Sequence, residues 1–371
     1  MEFAINRDVF LKALSNAIGI IEKKTTLPIL SNVLIEAKNS IIKITTTDLD
    51  IIYFEEIKPL EIKKEGSTTT SGSILYDILR KLRSNAKVEL SLQNLNKIKL
   101  LSENSKFNLL CLPSDNFPLS DEDIKQEGFE VSSQKLIKLL NKSRISISND
   151  DTRHYLNGIY FHKTKLENKS FLCGVATDSH RLSSSSLEIN PSINIEPIIL
   201  PKKTIFQLIS LIEQSGGQIK ISNNRSKIKF EMNNGVLISK VIDGRFPDYI
   251  KIIPKGNDKV LQIKLEEFKN SIDRVTTVSS DRTKSLKMTI SKDGVQLSVN
   301  NPSSGEGIEN ISANFNSNNL DISFNSRYLT DIASQIENES IIINLKDSSS
   351  PVLIGDLSDK NTFHVVMPMK I

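Results

Sequence analysis

The sequence predicts an α+β chain of three repeated domains, each with two helices packed on antiparallel sheets. Three observations carry this prediction. A short strand running into an amphipathic helix occurs three times: MEFAINRDVFLKALSNAIGII from Met1, FEVSSQKLIKLLNKS from Phe129 and VLQIKLEEFKNSIDRVTTV from Val260. Alternating strand-like segments and a second amphipathic helix follow in every case, and more strands close each unit. Recurring anchors keep near-constant spacing. Phe117-Pro118 and Phe246-Pro247 are 129 residues apart, Thr47-Asp48 and Thr177-Asp178 are 130 apart, and Leu30, Leu156 and Leu286 are separated by 126 and 130. Matching order, length and anchors are the signature of internal repetition.

The elements follow from apolar spacing. Phe10, Leu14, Ile18 and Ile21 mark a helix over 7–24. Leu136, Leu139 and Leu140 mark one over 132–144, and Leu265, Phe268, Ile272 and Val275 one over 264–284. The second helix of each unit is predicted over 72–84, 200–214 and 324–338. In the last of these, Leu329, Ile332, Ala333 and Ile336 form one stripe. Gly128 and the run PKGNDK (Pro254 to Lys259) supply linker chemistry. The domains are therefore placed at 1–127, 128–257 and 258–371, with Asp121, Glu122 and Asp123 as a solvated junction.

Charge separates the elements. The six predicted helices carry a net +9 against +4 for the whole chain, which leaves −5 for the remainder. Arg80, Lys81, Arg83, Lys135, Lys138, Lys142 and Arg144 are the main contributors. A basic helical surface suits phosphates. No Trp and six Tyr argue against a stacking platform for single strands, and no base-reading motif is present. The expectation is sequence-independent contact with duplex backbone. No apolar run of roughly 18 residues exists to cross a membrane, and the N-terminal segment lacks a secretory pattern. Cys111 and Cys173 have neither CxxC nor metal spacing, so reduced thiols in a cytoplasmic protein are expected.

Catalytic signals are weak. ATDSHRL (Ala176 to Leu182) holds Asp178, Ser179 and His180, the residue types of a hydrolytic triad. They are consecutive, whereas a triad converges from separate parts of a fold. A hydrolase centred on Thr177 to Arg181 is the alternative to a binding protein, and a local turn or binding role is favoured. No P-loop, dinucleotide fingerprint or metal-site cluster is found, so no cofactor or metal is expected.

The motifs TLPIL (Thr26 to Leu30), TDL (Thr47 to Leu49), YLNG (Tyr155 to Gly158), ATDSHRL, DGRFPDY (Asp243 to Tyr249), NNP (Asn300 to Pro302) and VVMPMKI (Val365 to Ile371) recur in order along the whole chain. In these the sequence resembles the beta subunit of bacterial DNA polymerase III, the sliding clamps. The resemblance implies a non-catalytic processivity factor. It implies a head-to-tail homodimer, a six-domain ring with twelve helices inside. Twelve helices of roughly 10 Å diameter would leave a hole of about 28 Å, wide enough for a duplex on the order of 20 Å across.

The resemblance also implies partners: double-stranded DNA, the polymerase III catalytic subunit, a clamp loader, and other polymerases and repair proteins carrying clamp-binding peptides. Their pocket would comprise Leu156, Thr177, Ser179, His180, Arg181, Leu182, Pro247, Lys251, Ile252, Asn325, Tyr328, Pro351, Val365, Met367, Pro368 and Met369. The expected ligand is a short segment with a Gln followed by apolar residues. DNA-facing positions would be Lys24, Arg80, Lys81, Arg83, Lys138, Lys142, His154 and Tyr155. The dimer seam would use Phe107, Leu109, Ile272, Thr277 and Val278. Departures from the family pattern are Ser179, often Gly; Lys251 and Lys370, often Arg; Pro351, often small and polar; His154, in place of an aromatic ring; Lys24, in place of Arg; and Thr277, less apolar than usual.

Overall fold

The computed structural model describes residues 1–371 except 23–25, 95, 120–123, 125–126, 280–283 and 371. Lys24, the acidic run Asp121 to Asp123 and the terminal Ile371 lie outside the described residues. Six α-helices are present among the described residues: α1 (Arg7–Ala17), α2 (Gly72–Lys81), α3 (Ser133–Arg144), α4 (Lys202–Ser215), α5 (Leu265–Thr276) and α6 (Ser326–Ala333). Each predicted helix exists, and polar caps set several of the starts. Asn6 accepts from the Asp8 and Val9 amides, Ser71 from Ile74, and Asn325 from Arg327. Such caps satisfy amides that have no partner inside the helix.

Three helices are shorter than their apolar pattern suggests; α6 ends at Ala333, before Ile336 of its stripe. The α1 pattern runs on through Ile18 and Ile21, but the helix ends at Ala17 before Gly19. Glycine costs a helix about 1 kcal/mol relative to alanine. The α5 pattern runs into the β-branched series Val275, Thr276, Thr277 and Val278, and the helix stops at Thr276. There the Thr276 hydroxyl bonds back to the Ile272 carbonyl at 2.7 Å, a local bond that competes with helix propagation.

The chain divides into two compact units, 1–137 with 203–241, and 138–202 with 242–371. Each holds one terminal repeat and part of the middle one, because main-chain pairing crosses the repeat boundaries. In the first unit, the strand Ile51–Ile57 pairs antiparallel with Gly235–Lys240, joining repeats one and two in a single 13-stranded sheet. In the second unit, Arg181–Ile189 pairs antiparallel with Asp359–Val366, joining repeats two and three in a nine-stranded sheet. A four-stranded sheet completes the second unit.

The helices bury one face against these sheets. In the first unit Phe10, Ala13, Leu14 and Ala17 of α1 are buried, and Phe10 meets Phe3 edge to face at 6.3 Å. In the second unit Phe268, Ile272 and Val275 of α5 join Leu329 and Ile332 of α6 in one core with Phe315 and Phe324. Fully burying each such side chain contributes about 1.5–3 kcal/mol. Both cysteines are buried free thiols, and burial pushes Cys173 up to about 12.

Candidate functional site

ATDSHRL folds as a hairpin. Thr177 ends one strand, Arg181 begins the next, and Asp178 to His180 form the turn. The Asp178 carboxylate makes the turn. Its Oδ1 accepts from the His180 and Arg181 amides at 3.0 and 2.9 Å, while its Oδ2 accepts from Arg181 Nε at 3.0 Å. Asp side chains commonly mimic a backbone turn in this way. Thr177 closes the hairpin by donating to the Arg181 carbonyl at 2.7 Å. Ser179 sits at φ +77°, in the left-handed region that favours glycine. Its hydroxyl accepts from Arg153 Nη1 at 2.6 Å.

No triad assembles here. Asp178 is committed to backbone and guanidinium, and Ser179 to Arg153. The Ser–His pair that does exist, Ser183 Oγ with His364 Nδ1 at 2.7 Å, is buried in the sheet. Burial pushes His364 down to about 3, with Lys142 and Arg181 adding to the effect.

Around the hairpin the second unit builds an apolar floor. Leu156, Leu182 and Val365 cluster with Val175, Ile199, Phe246 and Tyr249. Tyr160 stacks on Phe246 at 4.9 Å, and Tyr249 Oη lies 3.1 Å from His162 Nε2. Burial pushes His162 down to about 4, so it serves the floor as a neutral ring. Ile250, Ile252 and Met367 stay exposed, at 60, 40 and 42%. Exposed large apolar side chains of this kind mark candidate binding surfaces.

The C-terminal segment is tied down by its backbone. The Met367 amide donates to the His180 carbonyl at 2.9 Å, and the Met369 amide to the Ser323 carbonyl at 2.7 Å. Met367, Pro368 and Met369 then line a groove of about 600 Å³ with Lys287, Asp321 and Ser323. Arg181, largely buried, reaches Asp331 Oδ2 at 2.6 Å and lies over the Tyr328 ring at 4.3 Å. Asn325 caps the adjoining helix. Pro247 is half-buried next to Phe246. Lys251 is exposed and pairs with Asp248 at 3.0 Å. The Pro351 carbonyl accepts from Asn257 at 3.0 Å.

The sixteen residues assigned to the pocket by resemblance thus fall into roles. Leu156, Thr177, Arg181, Leu182 and Val365 are buried, and the others are half-buried or exposed. Sequence reasoning missed Arg153, Asp331 and Ile250. Asp331 carries no sequence signal, since its partner Arg181 is 150 positions away.

The basic residues sort differently. Arg80, Lys81 and Arg83 are exposed, with long pairs from Arg80 to Asp77 (3.4 Å) and Arg83 to Glu103 (3.8 Å). Lys142 corrects the expectation of a DNA-facing charge. It is 3% exposed and lies 2.9 Å from Asp359 and 3.2 Å from Glu337. Its charge is spent inside the protein, because a buried ammonium must be paired. Lys138 is half-exposed but pairs with the same two carboxylates. His154 is exposed and its Nε2 meets the Asp243 carbonyl at 3.1 Å; Tyr155 is half-buried, edge to face with it at 6.0 Å.

Family comparison decides the identity. Residues 1–121, 130–248 and 250–370 match the N-terminal, central and C-terminal domains of the DNA polymerase III beta subunit. The chain belongs to the beta sliding clamp family. The beta sliding clamp of Caulobacter vibrioides is 34% identical over 373 residues, and that of Escherichia coli K12 is 28% identical over 371; both alignments span the whole of each chain. Among solved structures, a sliding clamp from Bartonella birtlesii bound to griselimycin matches with TM-score 0.97 and 37% identity over all of both chains. A C. crescentus beta sliding clamp with polyethylene glycol at its putative beta-motif tethering region matches at 0.97 and 34%, covering 100% of this chain and 99% of that one.

The three repeats are thus three beta-clamp domains, and among the described residues two strands are paired less fully than their counterparts. The junction strands Ile51–Ile57 and Arg181–Ile189 each pair with the closing strand of the next repeat. Their counterpart in repeat three, Gly305–Ile311, pairs on one side only among the described residues. The closing strand of repeat one, Ser105–Leu112, pairs along its length with Lys97–Ser102 and on its other side only at Cys111 and Leu112. Phe107 and Leu109 are half-buried on it, and Leu110 is 77% exposed. Val278 lies against Gly307 of the open strand, and Thr277 is exposed. Ile272 is 1% exposed inside the α5 core. It supports that surface from beneath and cannot form the contact, which corrects its placement at the seam.

Proposed function

We propose that this chain is a DNA sliding clamp that closes head to tail with a second copy into a ring around duplex DNA. The ring tethers the polymerase III catalytic subunit and other replication and repair proteins. The carrying observation is the pair of open strands. Two junctions inside the chain join a strand of one repeat to the closing strand of the next. Gly305–Ile311 and Ser105–Leu112 are the unmatched halves of a third such junction. A heterologous contact of this kind closes when two rotations complete the circle. Open edges left unpaired would invite aggregation, which a ring removes.

In this reading the repeats divide near 127 and 257, the chain acts in the cytoplasm without catalysing a reaction, and a clamp loader opens the seam. Peptides from the partners enter the pocket around His180, Tyr328 and Met367. Exposed Arg80, Lys81 and Arg83 contribute loose phosphate contact, and Lys24, His154 and Tyr155 complete the DNA-facing set. Retention on circular DNA is the test. Loaded on nicked circular duplex, the protein should resist salt that strips phosphate binders and should leave once the circle is linearised. Equal salt sensitivity on linear and circular DNA would overturn the reading.

A further inference from the structure

We infer that Asn301 is a positioning residue for ring closure: its side-chain amide ties the end of α5 to the hairpin that opens Gly305–Ile311, so that Val278 and the open strand meet a second copy as one preformed surface. The inference rests on the seam reading above and adds to it the residue that sets the shape of the seam.

The motif NNP (Asn300 to Pro302) is used by neither the pocket nor the phosphate contacts. It leads into the turn before the open strand, where Asn301 pairs with Gly305. Asn301 is 9% exposed, and both ends of its amide are bonded. Oδ1 accepts from the Ser303 amide at 3.1 Å, a local turn bond. Nδ2 donates to the Ser304 hydroxyl at 3.0 Å and, across 23 positions, to the Val278 carbonyl at 3.0 Å. The hairpins of repeats one and two carry Thr47 and Thr177 at this position. Those hydroxyls bond inside their own turns: Thr47 accepts from the Leu49 amide, and Thr177 donates to the Arg181 carbonyl. Asparagine has a two-proton donor beside its acceptor, so it can close the turn and reach the helix end at once.

The helix and the strand are fastened elsewhere too. Ser271 Oγ and Arg274 Nε donate to Glu309 at 2.7 and 3.0 Å. A side chain at Gly307 would stand 2.9 Å from the Val275 carbonyl and 3.2 Å from Val278 Cγ2, so the strand lies flush against the end of α5. In repeats one and two the junction strand finds its neighbour within its own chain, at high effective concentration. The third strand must recruit its neighbour from a separate molecule, and ordering a loose loop at that moment would subtract from the affinity. A loop already bonded to the hairpin avoids that cost.

The test measures dimer affinity by sedimentation of the full-length protein. Asn301→Asp keeps the acceptor for Ser303 and sets a carboxylate oxygen against the Val278 carbonyl. Near pH 8 it should weaken the dimer about tenfold or more relative to the wild type. The gap should narrow toward about pH 5, because a protonated carboxyl regains one O–H for that carbonyl and burial favours the protonated form. Asn301→Ala, which deletes the amide without adding charge, should weaken the dimer at every pH. In the monomeric Phe107→Ser, Leu109→Ser background both changes should leave the chain folded at the temperature of measurement. Two Asn301 variants that dimerise as tightly as the wild type overturn the inference with the seam intact, and so does an Asn301→Asp defect that ignores pH. A weaker dimer seen only with unfolding of the monomeric background shows a role in stability alone and overturns it too. A wild type that is monomeric, or a dimer that Phe107→Ser with Leu109→Ser leaves unchanged, removes the seam itself and the inference with it.

Discussion

Lys142 Nζ lies 2.9 Å from Asp359 Oδ2, with the two side chains 4% and 10% exposed. Helix α3 of the second repeat is thereby bonded to the last hairpin of the third. Asp359→Asn should leave a buried ammonium with Glu337 as its one remaining carboxylate, at a cost on the order of 3 kcal/mol. Burial alone would push the Asp359 carboxyl up, but Lys142 and Lys138 outweigh it and hold it below its usual range. The stabilisation is therefore present above the unfolded value near pH 4 and is lost as pH falls through the folded one. Denaturant titrations from pH 7 down to 3 should show that acid loss in the wild type and not in the variant.

His364 sets a second acid window. Its folded value of about 3 lies well below the unfolded value near 6.5. Between the two the unfolded chain binds a proton that the folded chain refuses, so stability falls as pH drops from about 6.5. The ring faces Lys142, Arg181 and Asp359, and the two cations oppose its protonation. His364→Gln should flatten the stability curve between pH 6.5 and 4 by about 1 kcal/mol per pH unit. Identical slopes in the two proteins would show that this ring does not titrate with unfolding.

The first internal junction sets the register predicted for the proposed seam; the second, bulged beside Asp356, has a different offset. The hairpins of the three junction strands close at Thr47 with Ile52, Thr177 with Leu182, and Asn301 with Gly305. Ile52 faces Ile238, three positions past the hairpin residue Gly235. The counterpart of Gly235 is Ser105, so Gly305 should face Asn108 of the second copy, and Glu306 should face Phe107. Glu306→Cys combined with Phe107→Cys should give a disulfide-linked dimer on a non-reducing gel, since facing strand residues lie within disulfide reach. Pairing Glu306→Cys with Leu110→Cys should cross-link poorly. Replacing Phe107 and Leu109 by Ser should yield monomers in sedimentation. A micromolar dimer that survives this change would move the seam elsewhere.

The pocket is best tested at the C-terminal segment. Met367→Ala with Pro368→Ala removes exposed apolar surface and leaves in place the Met367 amide bond to His180. The fold and DNA retention should persist. Calorimetry with a Gln-containing apolar peptide should show a loss of about 2 kcal/mol or more, because a few anchors dominate such interfaces. Undiminished affinity would refute the assignment.

The sequence by itself determined the repeats and the six helices, because these are written in local periodicity and in anchors at fixed spacing; the proposed pocket was legible only through the family resemblance. A local turn was one of the readings open for ATDSHRL, whose Thr177 and Asp178 side chains bond to their own neighbours. Tertiary structure decided which charges remain available. Lys142 reads like any other lysine on a basic helix, yet it is buried against Asp359, 217 positions away. Arg181 and Asp331 likewise meet only when repeats two and three share a sheet. Helix ends also escaped the apolar pattern, since Thr276 bonds back to Ile272. The open strand edges were invisible as well: a strand's own residues specify which face is apolar, whereas whether a neighbour lies beside it depends on chain segments more than a hundred residues away.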